Sequence, residues 1–169
     1  MSWDEYVNGY LLNYTDYETG EVTLNINDGA AIIDASSKEV LSVGGNIELR
    51  SGDVDQEQDD GSVKKIKLNE VDNLIAIHES QGKVVPPGGV RIKGEKYIYV
   101  GKNGEFNSVY LKGNGKGACI SKSESLYIVA VWNGAVGFIN DKKLPDKQNA
   151  GMCNKSVEDL QKYLAESGY

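Results

Sequence analysis

Apolar residues recur at Cys153, Val157, Leu160 and Leu164, in steps of four, three and four. That spacing predicts an amphipathic helix over Gly151–Tyr169 with one buried stripe. Asn154, Lys155, Glu158, Asp159 and Lys162 fall on the opposite, polar face, and Tyr163 and Tyr169 belong to neither set. Those two rings either cover the edge of the core or form an aromatic surface with rings from elsewhere. At the other end, Ser2-Trp3-Asp4-Glu5 has the pattern of a capping box, with two acids suited to the positive end of a helix dipole. The predicted helix runs from Trp3 to Leu12 and puts Trp3, Tyr6 and Tyr10 on one side. Gly9 inside it costs about 1 kcal/mol relative to alanine. A helix this short must dock on something to persist.

Between the two ends the period changes to that of strands. Val22–Ile26 alternates, Asn27-Asp28-Gly29 reads as a tight turn, and Ala30–Ile33 reads as the partner strand of a hairpin. Val40–Val43 and Asn46–Arg50 read as short strands about Gly44-Gly45. Lys67–His78 reads as a second helix, with Leu68, Val71, Leu74, Ile75 and His78 on one face. A charged His78 would suit the negative end of that helix. Pro86-Pro87-Gly88-Gly89 is a loop. Five strands follow: Val90–Ile92, Lys96–Val100, Phe106–Leu111, Ala118–Ser121 and Leu126–Trp132. Their short connections make them antiparallel. The fold class is therefore α+β, a mostly antiparallel central sheet.

Composition narrows the function more than the fold. At 169 residues the chain suits one domain with a single core. Its net charge of −7 is uneven. Residues 1–90 hold 6 basic and 17 acidic side chains, and residues 91–169 hold 12 and 8. A basic half on an acidic protein suggests a surface that meets an acidic partner. Ser51–Ser62 carries Asp53, Asp55, Glu57, Asp59 and Asp60 and reads as a mobile acidic loop. It lacks the glycine and bidentate glutamate of an EF-hand. Gly113–Gly117 lacks the spacing of a P-loop. One histidine without a neighbouring nucleophile gives no triad, so no enzyme is expected. Neither a cofactor nor a metal is expected, and nucleic acid is excluded by the overall charge. Cys119 and Cys153 read as reduced core residues. No apolar run spans a bilayer and no signal region opens the chain, so a cytoplasmic protein is expected. Asp141–Lys147 is a charged loop to which no role attaches.

A family resemblance joins these features. Met1–Val7 resembles the opening of profilins, and Cys153-Asn154, Val157–Leu160, Tyr163-Leu164 and Gly168-Tyr169 resemble their ending. Gly88–Tyr97, Lys112–Lys122 and Leu126–Trp132 resemble the family's middle strands. The resemblance covers about two-thirds of one 1–169 domain and fails over about 39–63 and 135–148, which read as insertions. It implies that both terminal helices share one face of the sheet and the middle helix takes the other. It implies a binder of monomeric actin that regulates polymerisation and is associated with the cytoskeleton. The actin-facing residues would be Lys96, Tyr99, Glu105, Lys112, Gly151, Asn154, Lys155 and Asp159. Trp3, Tyr6, Tyr163 and Tyr169 would bind proline-rich segments of actin-assembly factors, because flat rings fit the ridges of a polyproline helix. Ile32 stands near where the family places a further groove tryptophan, which implies weakened polyproline binding. Basic residues would meet phosphoinositide head groups. The alternative is a sensory or adaptor domain of similar fold without an actin face.

Overall fold

The computed structural model describes residues 1–86, 89–139 and 145–169. In chain order the elements are α1 (Trp3–Tyr6), β1 (Tyr14–Thr15), β2 (Val22–Thr23), β3 (Gly29–Asp34), β4 (Val40–Gly45), β5 (Ser51–Glu57) and β6 (Val63–Asn69). They continue as α2 (Glu70–Glu79), β7 (Val90–Ile92), β8 (Glu95–Asn103), β9 (Ser108–Lys112), β10 (Lys116–Lys122), β11 (Leu126–Asn133), β12 (Gly137–Ile139), β13 (Pro145–Lys147) and α3 (Ala150–Glu166). Seven strands form the central sheet in the order β4-β3-β11-β10-β9-β8-β7, antiparallel throughout.

Strand β11 shows how this sheet carries two cores. Leu126, Ile128 and Ala130 pack with Val7, Leu11, Cys153, Val157, Leu160 and Leu164 under the terminal helices. Tyr127, Val129 and Val131 point the other way and pack with Leu74, Ile75 and Ile77 of α2. A strand buried on both faces has no polar alternation, which is why 126–132 reads as one apolar run. The terminal helices therefore share one layer and α2 forms the other.

Helix α1 begins on the predicted capping box. The Ser2 hydroxyl accepts from the Glu5 amide, and the Glu5 carboxylate accepts from the Ser2 amide. After Tyr6 the turn widens into a π-helix over Val7–Leu12. Gly9 lies within the widened turn, and its carbonyl accepts from the Thr15 hydroxyl at 3.0 Å. The Asn13 amide and side chain both bond the Asn8 carbonyl, closing the helix.

Four readings of the sequence give way. Asn27-Asp28-Gly29 does not join a hairpin: β2 pairs with β1, and β3 pairs with β4 and β11. The Asp28 carbonyl instead accepts from the Asn46 amide at the end of β4. Asn46–Arg50 forms no strand, while β4 runs on through Gly44 and Gly45. The second helix starts at Glu70, capped by Asn69, because residues 63–69 are strand. Leu68 is thus a strand residue, and Ser51–Ser62 is no mobile loop. Its first half, β5, pairs with β6 over seven residues, with Asp53 opposite Lys67 and Asp55 opposite Lys65. Opposed charges stabilise such cross-strand pairs and relieve the repulsion among the acids.

This hairpin is anchored by Glu70, which is fully buried. Its carboxylate accepts from the amides of Arg50, Lys93 and Gly94 and pairs with the Arg50 guanidinium at 3.2 Å. Gly94 has φ +76, and a Cβ there would press on the Arg50 guanidinium. Residues 141–144, part of the predicted charged loop, lie outside the described residues. So do Pro87 and Gly88. Beside 141–144, β12 pairs with β13.

Candidate functional site

Helix α3 has two flanks, and each meets a different surface. Glu158, expected on the polar face, is buried on the flank toward β8 and β9. It accepts from the Tyr110 hydroxyl, from Ser108 at 3.3 Å and from Asn103 at 3.4 Å. That carboxylate locks the helix onto the strands; burial, then the hydrogen bond to Glu158, raises the Tyr110 pKa. Buried Ser156 accepts from Asn27 at 2.9 Å and ties α3 to the loop before β3.

Asn154 lies one helical turn before Glu158 on this flank, and Gly151 lies three residues before Asn154. Lys112 is exposed and lies in register with Gly117 and Ile98. Alternation along β8 turns Lys96 and Ile98 to the terminal-helix side, and Val100 follows at a bulge between Tyr99 and Gly101, with Ile98 58% and Val100 54% exposed. Tyr99 does not join them. It packs against the α2 core, where Gly82 lies so close to its ring that a Cβ would meet it at 2.4 Å. Lys96 is drawn toward Asp59 of the hairpin tip at 3.4 Å. Glu105 sits at the far end of β8, its amide held by Asn103. The sequence names Tyr99 and misses Ile98 and Val100 because the face of a strand residue depends on which side the neighbouring layers cover.

The other flank of α3 faces the first helix. Asp159 accepts from Lys155 at 2.9 Å and from the Tyr14 hydroxyl at 2.7 Å. Burial, then the Asp159 carboxylate, pushes Tyr14 up to about 12, and the same carboxylate raises Lys155. Lys155 and Asp159 thus belong to the aromatic side and lie apart from Lys112.

Trp3, Tyr6, Tyr163 and Tyr169 come together as expected. Trp3 meets Tyr169 edge-on at 5.2 Å and Tyr6 at 5.9 Å, and Tyr6 meets Tyr163 at 6.2 Å. Tyr163 and Tyr169 remain 42% and 44% exposed, so the surface is open. The Tyr169 carbonyl accepts from the Ser125 amide and from the hydroxyls of Ser123 and Ser125. The β10–β11 turn therefore positions the last ring. Burial, then the neighbouring Tyr163, raises the Tyr6 pKa, so the Tyr6 hydroxyl stays a neutral donor at physiological pH. Ile32 is fully buried beneath the helices and adds nothing to the surface. Tyr10 and Tyr17 add to it instead, at 6.0 Å from Tyr6 and 5.7 Å from Tyr163 respectively. Tyr17 lies in a turn, where no periodicity announces a shared face.

His78 ends α2 in a setting unlike the one its helix position suggests. It is buried, edge-on to Tyr127, with Nε2 donating to the Asn107 carbonyl at 2.7 Å. Burial lowers its pKa, so the ring is neutral at physiological pH.

Comparison with known proteins follows this geometry. The profilin family model matches residues 1–169. A profilin from Tetrahymena pyriformis is 30% identical over 168 residues, covering 99% of this chain and 98% of that one. Profilin IB of Acanthamoeba castellanii superposes with a TM-score of 0.62 at 18% identity, covering 99% of this chain and all of the other. The Schizosaccharomyces pombe profilin does so at 0.62 and 22%, with the same coverage. Mouse profilin IIa, solved in complex with a double repeat from the FH1 domain of mDia1, matches at 0.53 and 13%, over 85% of this chain and 90% of that one. With a family model spanning its whole length and a relative matched nearly end to end, the chain belongs to the profilin family.

Proposed function

We propose that this protein binds monomeric actin in the cytoplasm and regulates its polymerisation without catalysis. The observation that carries the reading is the face built by α3 and β8–β9. There Lys112 stands in register with exposed Ile98, and Glu158 ties α3, which carries Gly151 and Asn154, to Ser108 and Tyr110 of β9. Polar groups around a small apolar centre suit a specific protein interface. Lys96 and Glu105 border the same strands. Lys155 and Asp159, expected here, lie on the aromatic flank instead, and Tyr99 acts by supporting β8 from beneath. The family assignment favours this reading over a sensory or adaptor domain.

The aromatic surface supports a second, separate role in holding proline-rich segments. Stacked rings with free hydroxyls fit a preformed proline helix and donate to its carbonyls. A phosphoinositide head group would find Lys112 the most available cation here, since Lys96 is drawn to Asp59 and Lys116 to Glu95.

The test is spontaneous assembly of pure actin. The protein should slow it, and Lys112→Glu combined with Ile98→Asp should remove the effect. Both side chains are exposed, so the double variant keeps its fold. Assembly slowed equally by the folded double variant refutes this face.

A further inference from the structure

The aromatic surface does not stop at the four rings named for proline recognition. From Tyr6 it continues to Tyr10, then to Tyr17 at 5.2 Å and Tyr14 at 6.4 Å. Tyr163 closes the ring of contacts, at 6.2 Å from Tyr6 and 5.7 Å from Tyr17. The strip ends in a cleft of about 420 Å³ walled by Tyr14, Tyr17 and Tyr163. Tyr17 is 40% exposed, so its ring is available at the mouth.

The cleft differs from the strip in charge. Asp16, Glu18, Asp159 and Glu166 line it against Lys155 and Lys162, a balance of −2. Not all of these acids are open to a ligand. Asp159 is engaged by Lys155 and Tyr14, and Asp16 accepts from the amides of Glu18 and Thr19. The Asp16 turn sets the position of Tyr17. The carboxylates of Glu18 and Glu166 are exposed and form no ion pair among the described residues. Ring faces beside unengaged carboxylates attract a cation, and a guanidinium does so best because it stacks and pairs at once.

Resting on the proline-rich reading of the strip, we propose that this cleft takes an arginine or lysine side chain that flanks the prolines of the bound segment. The prolines lie across Trp3, Tyr6, Tyr163 and Tyr169, and the next residues of the segment reach past Tyr10. The basic side chain enters the cleft alongside the contacting rings of Tyr17 and Tyr163, toward Glu18 and Glu166. The cleft thus discriminates among proline-rich segments that the strip alone would hold alike.

Three ten-proline peptides test this: one flanked by serine, one by arginine and one by glutamate, each in versions with the flank at either end. Binding is followed by tryptophan fluorescence and by the ring resonances of Tyr17. Arginine at one end should tighten binding about three- to tenfold over serine, from ring and carboxylate contacts together. Added salt should shrink the gain. Glu18→Gln with Glu166→Gln should bring the arginine-to-serine ratio to about one, as should Tyr17→Ala. Equal binding of the arginine and serine peptides overturns the inference while leaving the proline strip in place. So does a gain that survives the double glutamine variant, or tighter binding of the glutamate peptide. If no peptide binds, the strip and the cleft assignment fall together.

Discussion

Helix α3 and the β5–β6 hairpin both present rows of charge, yet they are held in place by different forces. The helix buries Cys153, Val157, Leu160 and Leu164 completely. Each large side chain so buried contributes about 1.5–3 kcal/mol. Among the described residues, the hairpin buries only the Gln56 side chain well, with Val54, Ile66 and Leu68 half-buried. It persists through its strand pairing, its opposed charges and the Glu70 carboxylate at its base. One element is fixed by area removed from water, the other by polar groups satisfied at a few points. The two proposed binding surfaces follow the same division, since the aromatic strip and the strand face both rest on α3.

The largest expected effect breaks the helix side. Leu160→Ala leaves a cavity between α3 and the sheet and should cost about 4 kcal/mol. Ile66→Ala in the hairpin should cost well under half as much, as read from denaturant midpoints. Equal losses would erase the distinction. Glu70→Gln comes next, because it keeps the shape but replaces a charged acceptor shared by three amides and Arg50. About 2 kcal/mol should be lost, the scale of hydrogen bonds to charged groups. Amide exchange should then rise across Ser51–Asn69 before it rises in α3. A uniform rise would mean that the anchor serves the whole domain.

A third effect depends on pH. The folded pKa of His78 lies below its ordinary value, because burial disfavours the charged ring. The unfolded chain therefore binds more protons below about pH 6.5, and stability attributable to His78 is present above that value and lost as pH falls. His78→Gln should flatten the stability profile between about pH 6.5 and 5. The proposed proline strip, which contains no histidine, should keep its affinity over the same window. A profile unchanged by the substitution would show that His78 is not the titrating group. The smallest effect concerns the hairpin's charge pairs. Asp53→Lys with Asp55→Lys sets like charges opposite Lys67 and Lys65, at about 0.2–1 kcal/mol each. Melting should fall by a few degrees and recover partly in salt. No change at low salt would assign the hairpin's order to Glu70 alone.

Much of the terminal layer was legible from residue pattern. The stripe Cys153–Leu164, the Ser2–Glu5 box and the apolar run of β11 are local signals, because each depends on periodicities that a helix or strand imposes on its own residues. The meeting of Trp3, Tyr6, Tyr163 and Tyr169 came from family resemblance, and the packing of the two helices realises it. The hairpin was not legible, because acids in β5 repel one another when read alone. Their partners are the lysines of β6, which a helical pattern also claimed.

What the sequence by itself determined is the set of elements whose pattern is carried within one segment: both terminal helices, the antiparallel middle strands and the α+β class. Tertiary structure decided the pairings between segments. It set Ile98 outward and Tyr99 inward, sank Ile32 and Glu158, and moved Asp159 to the aromatic flank. It also drew Tyr17 from a turn into the strip. The physical reason is that a local period states which residues share a face, while burial of that face depends on what packs against it. Turn residues such as Tyr17 have no period, so their surroundings come wholly from the elements they connect.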